Sequence, residues 1–580
     1  MRSAPKAGLP TNVTLIRSVF AAVGVAAVVL GWVGMSELLA RRTPGGYNRW
    51  DVPYYVMQLF VLGSDPLQNG GPYPWQLELA RFLAPLFTLL TVVETGRVLL
   101  AEEVNRLRSR TARRHVVVCG NTPFARELAR QLLVAGHRVV AVRSEPLRVD
   151  ATDTDRLLCV PGDATVPAVL RDAGVRRARY VYVCGADDEV NHAVAIAVRD
   201  TLVDLDEPPW IYVQLNRQQE CQALQARRLG AASANRFRLD YFHVDDVAAR
   251  TLYRLHPLAA RPGEPLRIVI AGDSTFRGVL LVETARFWRA RTDIVAGDLS
   301  VAVVGPDAER LVADLVDRYR FLAQTCRIEP YERDLTSWLA QREPEQRYER
   351  LYLCYADEQY NLDMALTRPD LWHATAGTIF VVTYRYAALA EAFHGRREVD
   401  LLDEVNHKIQ IFPVTTNACD AGAIADDLTE RLARQIHQRY QRAAGGRSGP
   451  PADGWSQLSE STRNANRAQV QGIAEKIQLL GCVIAVRRGG QDDAYVTEAE
   501  IERLARLEHD RWQQERHQQG WRFGAVRDDQ HRRHPDLVAW HELSEDGREK
   551  ARDAVRWLAD ILAEEGFTLV RLEPSPVRQR

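Results

Sequence analysis

The segment LRDAGVRRARYVYVCGADDEVN, residues 170–191, determines the fold class of this chain. Its centre is an apolar run of the kind that forms a buried strand, and the motif DDE-x-N follows it. Upstream, HVVVCG (115–120), NTPFARELARQLLVAG (121–136) and HRVVAV (137–142) indicate a strand, a helix and a second strand, with a glycine at the first turn. This order is the βαβ opening of a doubly wound Rossmann-type domain.

The pattern VPGDAT (160–165), followed by L, AG, A, an apolar strand and DDE-x-N, resembles the N-terminal half of RCK domains. These domains regulate potassium conductance in channels and Trk-type transporters. The resemblance extends over about residues 114–258. It implies a Rossmann lobe, face-to-face dimerisation, and a nucleotide or ion held at the carboxyl ends of the strands. A degenerate lobe that dimerises without any ligand is the alternative.

The glycine fingerprint of dinucleotide-binding domains is met only at its first position, because Thr122 and Ala125 replace the other two glycines. The acidic residue that would bind the ribose of NAD is replaced by Arg143, which suits the phosphate of NADP or lies on the surface. We therefore expect a nucleotide, NAD(P) or an adenine nucleotide, with plain NAD disfavoured. By position, the resemblance implies the binding residues Gly120, Asn121, Thr122, Phe124, Arg143, Asp163, Ala164 and Gly185.

An internal repeat predicts a second domain of the same type. Residues 181–197 align without gaps to residues 351–367, with matching Tyr, Cys, Ala, Asp, Asn and Ala. The glycine turn of this second copy is at Gly272, and the following Asp273 would point a negative charge at any phosphate. A packing role is therefore favoured over nucleotide binding. No substrate domain and no catalytic arrangement of His, Lys or Tyr follows, so an enzyme is not expected.

Two apolar segments near the N-terminus predict a membrane hairpin. Residues 18–35 carry no charge, and the expected spans are about 13–39 and 75–100. Glu94 and Arg97 lie inside the second span, which places them at the interface, in a water-filled vestibule or in a pair with each other. Arginines cluster just beyond this span. They predict a lipid-embedded protein of the bacterial inner membrane with both termini cytoplasmic.

Residues 51–66, between the spans, predict a short helix that ends at a glycine turn. This arrangement resembles the two-span pore module of potassium channels, whose filter reads T-V-G-Y-G-D. Only one filter glycine is present and the aromatic residue is missing, so high K⁺ selectivity is not expected. A cation pathway lined by an aspartate ring and a structural re-entrant loop that conducts nothing are both open. The aligned pore residues are Leu62, Gly63, Ser64 and Asp65.

The C-terminal part follows a linker rich in Gly, Pro and Ala, residues 442–454. The pattern LAxLEHxRW, GWxxG, xRD, HPxLVxW and EL within residues 504–555 resembles the repeat domain first described in ryanodine receptors (RyR). Its aromatic and basic side chains predict either a groove for a planar or anionic ligand or the core of a small helical domain. Two histidines without further ligands rarely bind zinc, so no metal is expected. The predicted groove residues are His509, Arg511, Trp512, Trp521, Arg527 and Trp540.

The whole chain is predicted to have a mixed fold. It combines a transmembrane helical hairpin with a re-entrant pore-like loop, two α/β Rossmann-like RCK lobes and a small, mainly α RyR-type domain. The net charge of −1 disfavours nucleic acid as a partner. The expected domain boundaries are 1–110, 111–260, 265–441, 442–454 and 455–580.

This organisation predicts a homo-oligomer, either a dimer or a tetramer. The expected function is an ion channel or ion-transport protein of the RCK class, gated by a nucleotide or an ion at the lobes. The alternative is a membrane-anchored, nucleotide-sensing protein that conducts nothing and signals through its RyR-type module.

Overall fold

The computed structural model describes residues 11–43, 46–61, 63, 67, 70–144, 156–205, 207–231, 238–258, 265–290, 299–343, 345–385, 408–443, 454–490 and 493–572. For residues 11–19, 94 and 97–102 only the backbone is described. The chain divides into two compact units, Met1–Leu107 and Arg108–Arg580.

The first unit is helical. Its helices are α1 (Thr11–Arg42), α2 (Asp51–Leu59) and α3 (Trp75–Thr111), the last of which continues into the second unit. Two segments, Phe20–Arg42 and Trp75–Val93, are long and apolar enough to cross a membrane. They coincide with the two predicted spans.

Small residues allow these helices to pack closely. A Cβ atom on Gly34 of α1 would lie 2.6 Å from the backbone nitrogen of Leu77 in α3, so no larger residue fits there without a shift. A Cβ atom on Gly31 would lie 3.3 Å from Leu59 and 3.4 Å from Val56, both on the buried face of α2. The short helix therefore packs against the first long helix.

Of the predicted pore residues, Gly63 is described, and Leu62, Ser64 and Asp65 lie outside the described residues. Gly63 donates its backbone N–H to the carbonyl oxygen of Gln58 at 3.1 Å, at the end of α2. The re-entrant loop and its filter stay a prediction.

The second unit begins with a six-stranded parallel sheet. Its order is that of the dinucleotide-binding doubly wound fold, with the first strand in the middle and the strand order reversing on its far side. Strands and helices are β1 (Val116–Cys119), α4 (Pro123–Val134), β2 (Val139–Arg143), β3 (Leu157–Pro161), α5 (Pro167–Asp172), β4 (Tyr180–Val183), α6 (Asp188–Thr201), β5 (Trp210–Gln214), α7 (Gln218–Leu229), β6 (Leu239–Phe242) and α8 (Val244–Leu255). The spatial order is β3-β2-β1-β4-β5-β6.

A second six-stranded parallel sheet repeats this topology, which explains the internal repeat of the sequence. Its elements are β7 (Leu266–Gly272), α9 (Phe276–Arg289), β8 (Leu299–Val304), α10 (Ala308–Arg318), α11 (Phe321–Thr325), β9 (Arg327–Tyr331), α12 (Leu335–Ala340), β10 (Tyr348–Cys354), α13 (Glu358–Thr367), α14 (Pro369–Ala374), β11 (Thr375–Thr383), β12 (Ile409–Pro413), α15 (Val414–Ala418) and α16 (Ala421–Ala425). The spatial order is β12-β11-β10-β7-β8-β9, so β7 takes the place of β1.

The two lobes share one apolar core that includes buried residues of both sheets. Helix α8 follows the first sheet and packs against α9 of the second, where the rings of Tyr253 and Phe287 stack at 5.4 Å. In the other direction, the amide of Gln131 in α4 donates to the carbonyl oxygen of Thr416 in α15 at 2.9 Å. Two lobes therefore pack against each other within one chain, and the face-to-face dimerisation that the resemblance implies stays a prediction.

The C-terminal region is mainly helical. Its elements are α17 (Leu428–Ala443), α18 (Gly454–Gln457), α19 (Glu460–Gln471), α20 (Ile473–Leu479), β13 (Cys482–Val486), α21 (Glu498–Gln518), β14 (Arg522–Phe523), β15 (Arg533–His534), α22 (Glu545–Glu564) and β16 (Phe567–Arg571). β13 and β16 pair in antiparallel fashion. The predicted fold class, with two apolar N-terminal helices, two Rossmann-like sheets and a helical C-terminal region, is confirmed.

Helix α17 belongs to the C-terminal core. The sequence assigns it to the second lobe, but its apolar face, with Leu428, Leu432 and Ile436, is buried in one cluster with Trp455 and Leu504. The apolar spacing of α17 predicts which face is buried but not which neighbour covers it.

Candidate nucleotide-binding crevice

The predicted phosphate turn joins β1 to α4 and lies against the end of β4. Gly120 has φ +134°, and a Cβ atom on it would lie 2.4 Å from the carbonyl oxygen of Cys184, so only glycine is tolerated here. The Thr122 hydroxyl donates to the same oxygen at 2.8 Å and accepts the N–H of Ala125 at 3.1 Å. Thr122 therefore caps α4, and the turn with Asn121 and Phe124 presents a helix N-terminus at the carboxyl edge of the sheet.

The loop after β3 forms the opposite side of the crevice. Gly162 has φ +145°, and its N–H donates to the carbonyl oxygen of Arg143 at 2.9 Å. The Asp163 carboxylate accepts the N–H of Thr165 at 2.9 Å, and Ala164 is half-buried. Asp163 therefore stabilises its own turn. Its contact with a nucleotide stays a prediction.

Arg143, the last residue of β2, is the most unusual group of the crevice. Its side chain is only 4% exposed, and its Nε and Nη1 atoms are buried without a hydrogen-bond partner among the described residues. Burial lowers the pKa of Arg143, and the nearby cation of Arg126 lowers it further, whereas Cys159 raises it. A buried cation without a partner is unfavourable, so this position fits an anionic ligand group.

Gly185, after β4, is held in place by the DDE-x-N motif. The Asn191 side chain accepts the N–H of Gly185 at 2.7 Å and donates to its carbonyl oxygen at 3.0 Å. The Asp188 carboxylate accepts the N–H of Asn216 at 2.8 Å, which ties the loops after β4 and β5 together. The sequence analysis did not identify Asn191 and Asn216 as residues that shape the crevice, because these contacts join different loops.

The corresponding turn of the second lobe is hydrogen-bonded by the protein's own groups. The Asp273 carboxylate accepts the N–H of Ala356 at 2.7 Å, and the N–H of Ser274 donates to the carbonyl oxygen of Cys354 at 3.0 Å. The Arg277 guanidinium donates to the carbonyl oxygen of Gly272 at 2.6 Å. These contacts pair the polar groups of the turn within the protein, which favours the packing role that the sequence predicts.

The last turn of α3 is attached to the first lobe within the second unit. The Arg110 guanidinium donates to the Asp172 carboxylate at 2.8 Å, and Arg177 donates to the carbonyl oxygen of Arg110 at 2.8 Å. A Cβ atom on Gly174 would lie 2.6 Å from the carbonyl oxygen of Ser109, so the helix end and the lobe are in direct contact. A displacement of this part of the lobe would therefore act on the helix.

In the C-terminal region the structure brings most of the predicted aromatic residues together. The His509 ring lies 5.9 Å from Trp512 and 5.7 Å from Trp540, and its Nε2 atom is 2.8 Å from the carbonyl oxygen of Val538. Trp521 joins the cluster through His534, with ring centroids 6.3 Å apart. These contacts resemble those of a small domain core.

The two predicted arginines of this region have carboxylate partners. Arg511 pairs with the buried Glu508 at 2.7 Å and with Glu515 at 2.8 Å, and the exposed Arg527 pairs with Asp529 at 2.8 Å. Neither guanidinium is directed at the aromatic cluster by these contacts. Two arginines that the sequence analysis missed lie over the tryptophans: Arg506 is 6.0 Å from the Trp540 ring, and Arg516 lies over the other two rings. It is 5.9 Å from the Trp512 ring and 5.0 Å from the Trp521 ring.

No group of three or more His, Cys, Asp or Glu side chains that could hold a metal ion occurs among the described residues. All eight cysteines are free, and seven of them are buried. Burial raises the pKa of Cys119 to about 12, which keeps this thiol protonated and unreactive at neutral pH.

The two six-stranded parallel sheets of the same topology define a protein with two Rossmann-type lobes in tandem. Comparison with protein families agrees with this class. Residues 116–235 match the TrkA-N domain, and residues 496–571 match the RyR domain. The chain thus carries both domains whose motifs the sequence contains.

Among solved structures, the chain is similar to the GsuK channel, with a TM-score of 0.34 and 16% identity over 71% of this chain and 97% of that chain. GsuK bound to ADP gives a TM-score of 0.32 and 16% identity, with the same coverage. The GsuK channel bound to NAD gives a TM-score of 0.28 and 13% identity over 73% of this chain and 86% of that chain. No curated protein matches the sequence of this chain.

Proposed function

We propose that this chain is a membrane-anchored ion channel or ion-transport protein that is controlled by a nucleotide bound at its first lobe. The TrkA-N match over residues 116–235 and the two helices that can cross a membrane support this class of function. The observation that carries the ligand is Arg143, a buried cation whose Nε and Nη1 atoms have no hydrogen-bond partner among the described residues and which lies at the strand end beside a glycine turn and a helix N-terminus.

The proposed ligand carries a phosphate near its adenosine ribose, as NADP does. In doubly wound domains, the residue at the end of the second strand contacts the ribose hydroxyls, and an arginine there accommodates a 2′-phosphate. Arg143 occupies this position, and its unpaired Nε and Nη1 atoms are suitable donors to phosphate oxygens. Asn121, Phe124, Asp163, Ala164 and Gly185 are the remaining proposed contacts. The second lobe, whose turn is filled by Asp273 and Arg277, acts as a structural partner.

The proposed coupling follows the chain from the crevice to the hairpin. Helix α3 is continuous from Trp75 to Thr111, and its last turn contacts the first lobe through Arg110 and Ser109. A ligand that favours one arrangement of the lobes would change the force on this helix. The effect is limited to the difference in the ligand's affinity for the two states. A tetramer would assemble eight lobes below one pore.

Binding measurements on Arg143→Asp test the ligand. We expect the affinity for NADP to fall by about 10- to 100-fold, because the loss of a charge-assisted hydrogen bond costs about 1.5–3 kcal/mol. The affinity for NAD is expected to fall less. Isothermal titration calorimetry of the purified full-length protein in detergent measures both affinities. Arg138→Asp is the matched control, because Arg138 is exposed at the opposite end of the same strand. Equal losses of NADP and NAD binding would remove Arg143 from the ligand site.

A further inference from the structure

A large cavity lies at the amino ends of strands of the first sheet, within the second compact unit. It has a volume of about 1900 Å³ and is bounded by the amino ends of β4 and β5, by α8 and α9 between the lobes, and by α17 and α19 of the C-terminal region. None of the proposed nucleotide contacts lines it. It is therefore distinct from the nucleotide crevice, and the function proposed above does not account for it.

The lining of this cavity is strongly basic. Thirteen arginine side chains and seven carboxylate side chains line it, while lysine and histidine are absent from its described lining. The net charge of the whole chain is only −1, so this concentration of positive charge is local. A concave surface of one charge raises the local concentration of oppositely charged ligands.

Nine of the thirteen arginines are neutralised by the protein. Each of these has a carboxylate oxygen within 4.0 Å, and several belong to one buried network around Glu565. Arg431 pairs with this carboxylate at 3.1 Å, and Arg286 pairs with it at 3.3 Å. These pairs explain most of the basic lining as part of the structure.

Four further arginines of the lining have no such partner. Among the described residues, no carboxylate oxygen lies within 4.0 Å of the guanidinium groups of Arg179, Arg238, Arg250 and Arg442. Arg250 is half-buried, and its Nε atom is buried without a hydrogen-bond partner among the described residues. Its Nη2 atom donates to the carbonyl oxygen of Ala423 at 3.5 Å. Burial and the cation of Arg431 lower the pKa of Arg250.

The two arginines on the first lobe border an aromatic surface. Arg238 lies 5.2 Å from the Trp210 ring, and Arg179 lies 5.2 Å from the Tyr180 ring. Trp210 stacks on Tyr212, with ring centroids 6.3 Å apart and an angle of 4° between the planes. All of these residues line the cavity. Cations beside a flat aromatic surface suit a ligand that has both phosphates and a planar group.

We propose that this cavity binds a small soluble molecule that carries two or more phosphate groups. Guanidinium groups bind phosphate oxygens through paired, charge-assisted hydrogen bonds, and the four arginines without carboxylate partners provide the donors. Because the cavity contacts the first lobe, the interlobe helices and the C-terminal region, such a ligand would link the position of the RyR domain to that of the lobes.

Inorganic tripolyphosphate is the probe that tests this site, because it lacks the nucleoside that the first crevice would bind. Isothermal titration calorimetry with the purified full-length protein in detergent is expected to show saturable binding that weakens as salt increases. Arg238 and Arg442 are exposed side chains of the cavity lining. The substitutions Arg238→Gln and Arg442→Gln are each expected to weaken tripolyphosphate binding by about tenfold, because each removes one charged contact. Arg250→Gln is expected to weaken it at least as much.

Arg522→Gln is the matched control, because Arg522 is an exposed arginine outside the cavity and outside the nucleotide crevice. Circular dichroism and gel filtration of each variant establish that it is folded, and the two exposed positions keep the test valid if Arg250→Gln does not fold. Absence of tripolyphosphate binding would overturn the proposal. Equal weakening by Arg522→Gln would also overturn it. Loss of binding in Arg143→Asp with retention in Arg238→Gln would assign the phosphate to the nucleotide crevice and would likewise overturn it.

Discussion

In the proposed function, single residues determine which lobe binds a ligand. Both lobes place an arginine near their glycine turn, but from different elements. Arg143 at the end of β2 is buried, and two of its nitrogens have no partner among the described residues, whereas Arg277 in α9 donates to the carbonyl oxygen of Gly272 at 2.6 Å. Satisfied and unsatisfied cations differ by several kcal/mol in an apolar environment, which is why we propose the first lobe as the one that gains from an incoming anion.

Gly120→Ala tests the glycine turn at the residue scale. We expect loss of nucleotide binding together with a destabilisation of more than about 1–3 kcal/mol, because a Cβ atom would lie 2.4 Å from the carbonyl oxygen of Cys184. Gly136→Ala is the control, since Gly136 also has a positive φ, +86°, but no described atom lies within 4 Å of its Cβ position. Thermal unfolding and NADP titration compare the two. Equal losses of stability would show that crowding at Cys184 is unimportant.

Asp427 predicts a dependence of stability on pH. Burial, with the neighbouring carboxylate of Asp240, raises the pKa of Asp427 to about 8, while the N–H of Glu430 opposes this by donating to it. The folded state therefore binds a proton that the unfolded state releases near pH 3.8. The stabilisation of the folded state by this proton is fully present below pH 3.8 and is lost as the pH rises to about 8.

Asp427→Asn keeps the acceptor for Glu430 and removes the titration. We expect the melting temperature of the native protein to fall between about pH 5 and about pH 8, and this slope to be smaller in the variant. Differential scanning fluorimetry across this range measures both. Parallel curves for the two proteins would contradict the assignment of the raised pKa to Asp427.

At the scale of elements, α17 joins the lobes to the C-terminal region. Arg431 of this helix and Arg286 of α9 both pair with Glu565, which follows α22. Burial alone would raise the pKa of the Glu565 carboxyl, but these two guanidinium groups hold it at about 2. One buried carboxylate thus connects three elements from different parts of the chain.

Glu565→Gln tests this junction. We expect a destabilisation of about 3–5 kcal/mol, because removal of one partner leaves buried cations without compensation. Asp560→Asn is the control. Asp560 pairs with Arg439 of α17 at 3.4 Å, but the Asp560 side chain is 69% exposed. A change of less than about 1 kcal/mol is expected there. Urea unfolding measures both variants, and equal effects would show that the Glu565 pairs are not important for stability.

The elements differ in how well the sequence predicts them. The repeat of residues 181–197 at residues 351–367 predicts two equivalent sheets, because buried parallel strands are continuous apolar runs that local sequence reveals. The neighbour of α17 was not predicted, since its apolar face packs on residues far along the chain. The hydrogen bond from Arg277 to the carbonyl oxygen of Gly272 was also missed, because it depends on where the end of β7 lies in space. Periodicity reports burial but not the partner.

At the scale of the whole molecule, two Rossmann-type lobes and two helices that can cross a membrane occur in a single chain. The chain is continuous through α3 from the hairpin to the first lobe, so the proposed control needs no additional protein. The predicted boundaries near residues 260 and 441 separate the lobes in sequence, but the lobes share a core and α17 packs with the C-terminal region. We expect the second unit to respond to a ligand as a connected body.

Planar-bilayer recording of the purified full-length protein tests the central proposal most directly. The native protein is expected to give ionic currents whose open probability changes when NADP is added on the side of the lobes. Arg143→Asp is expected to give currents of the same conductance that no longer respond to NADP. Silent bilayers from a stable, folded oligomer at every nucleotide concentration, or currents that NADP leaves unchanged in the native protein, would contradict the proposed function.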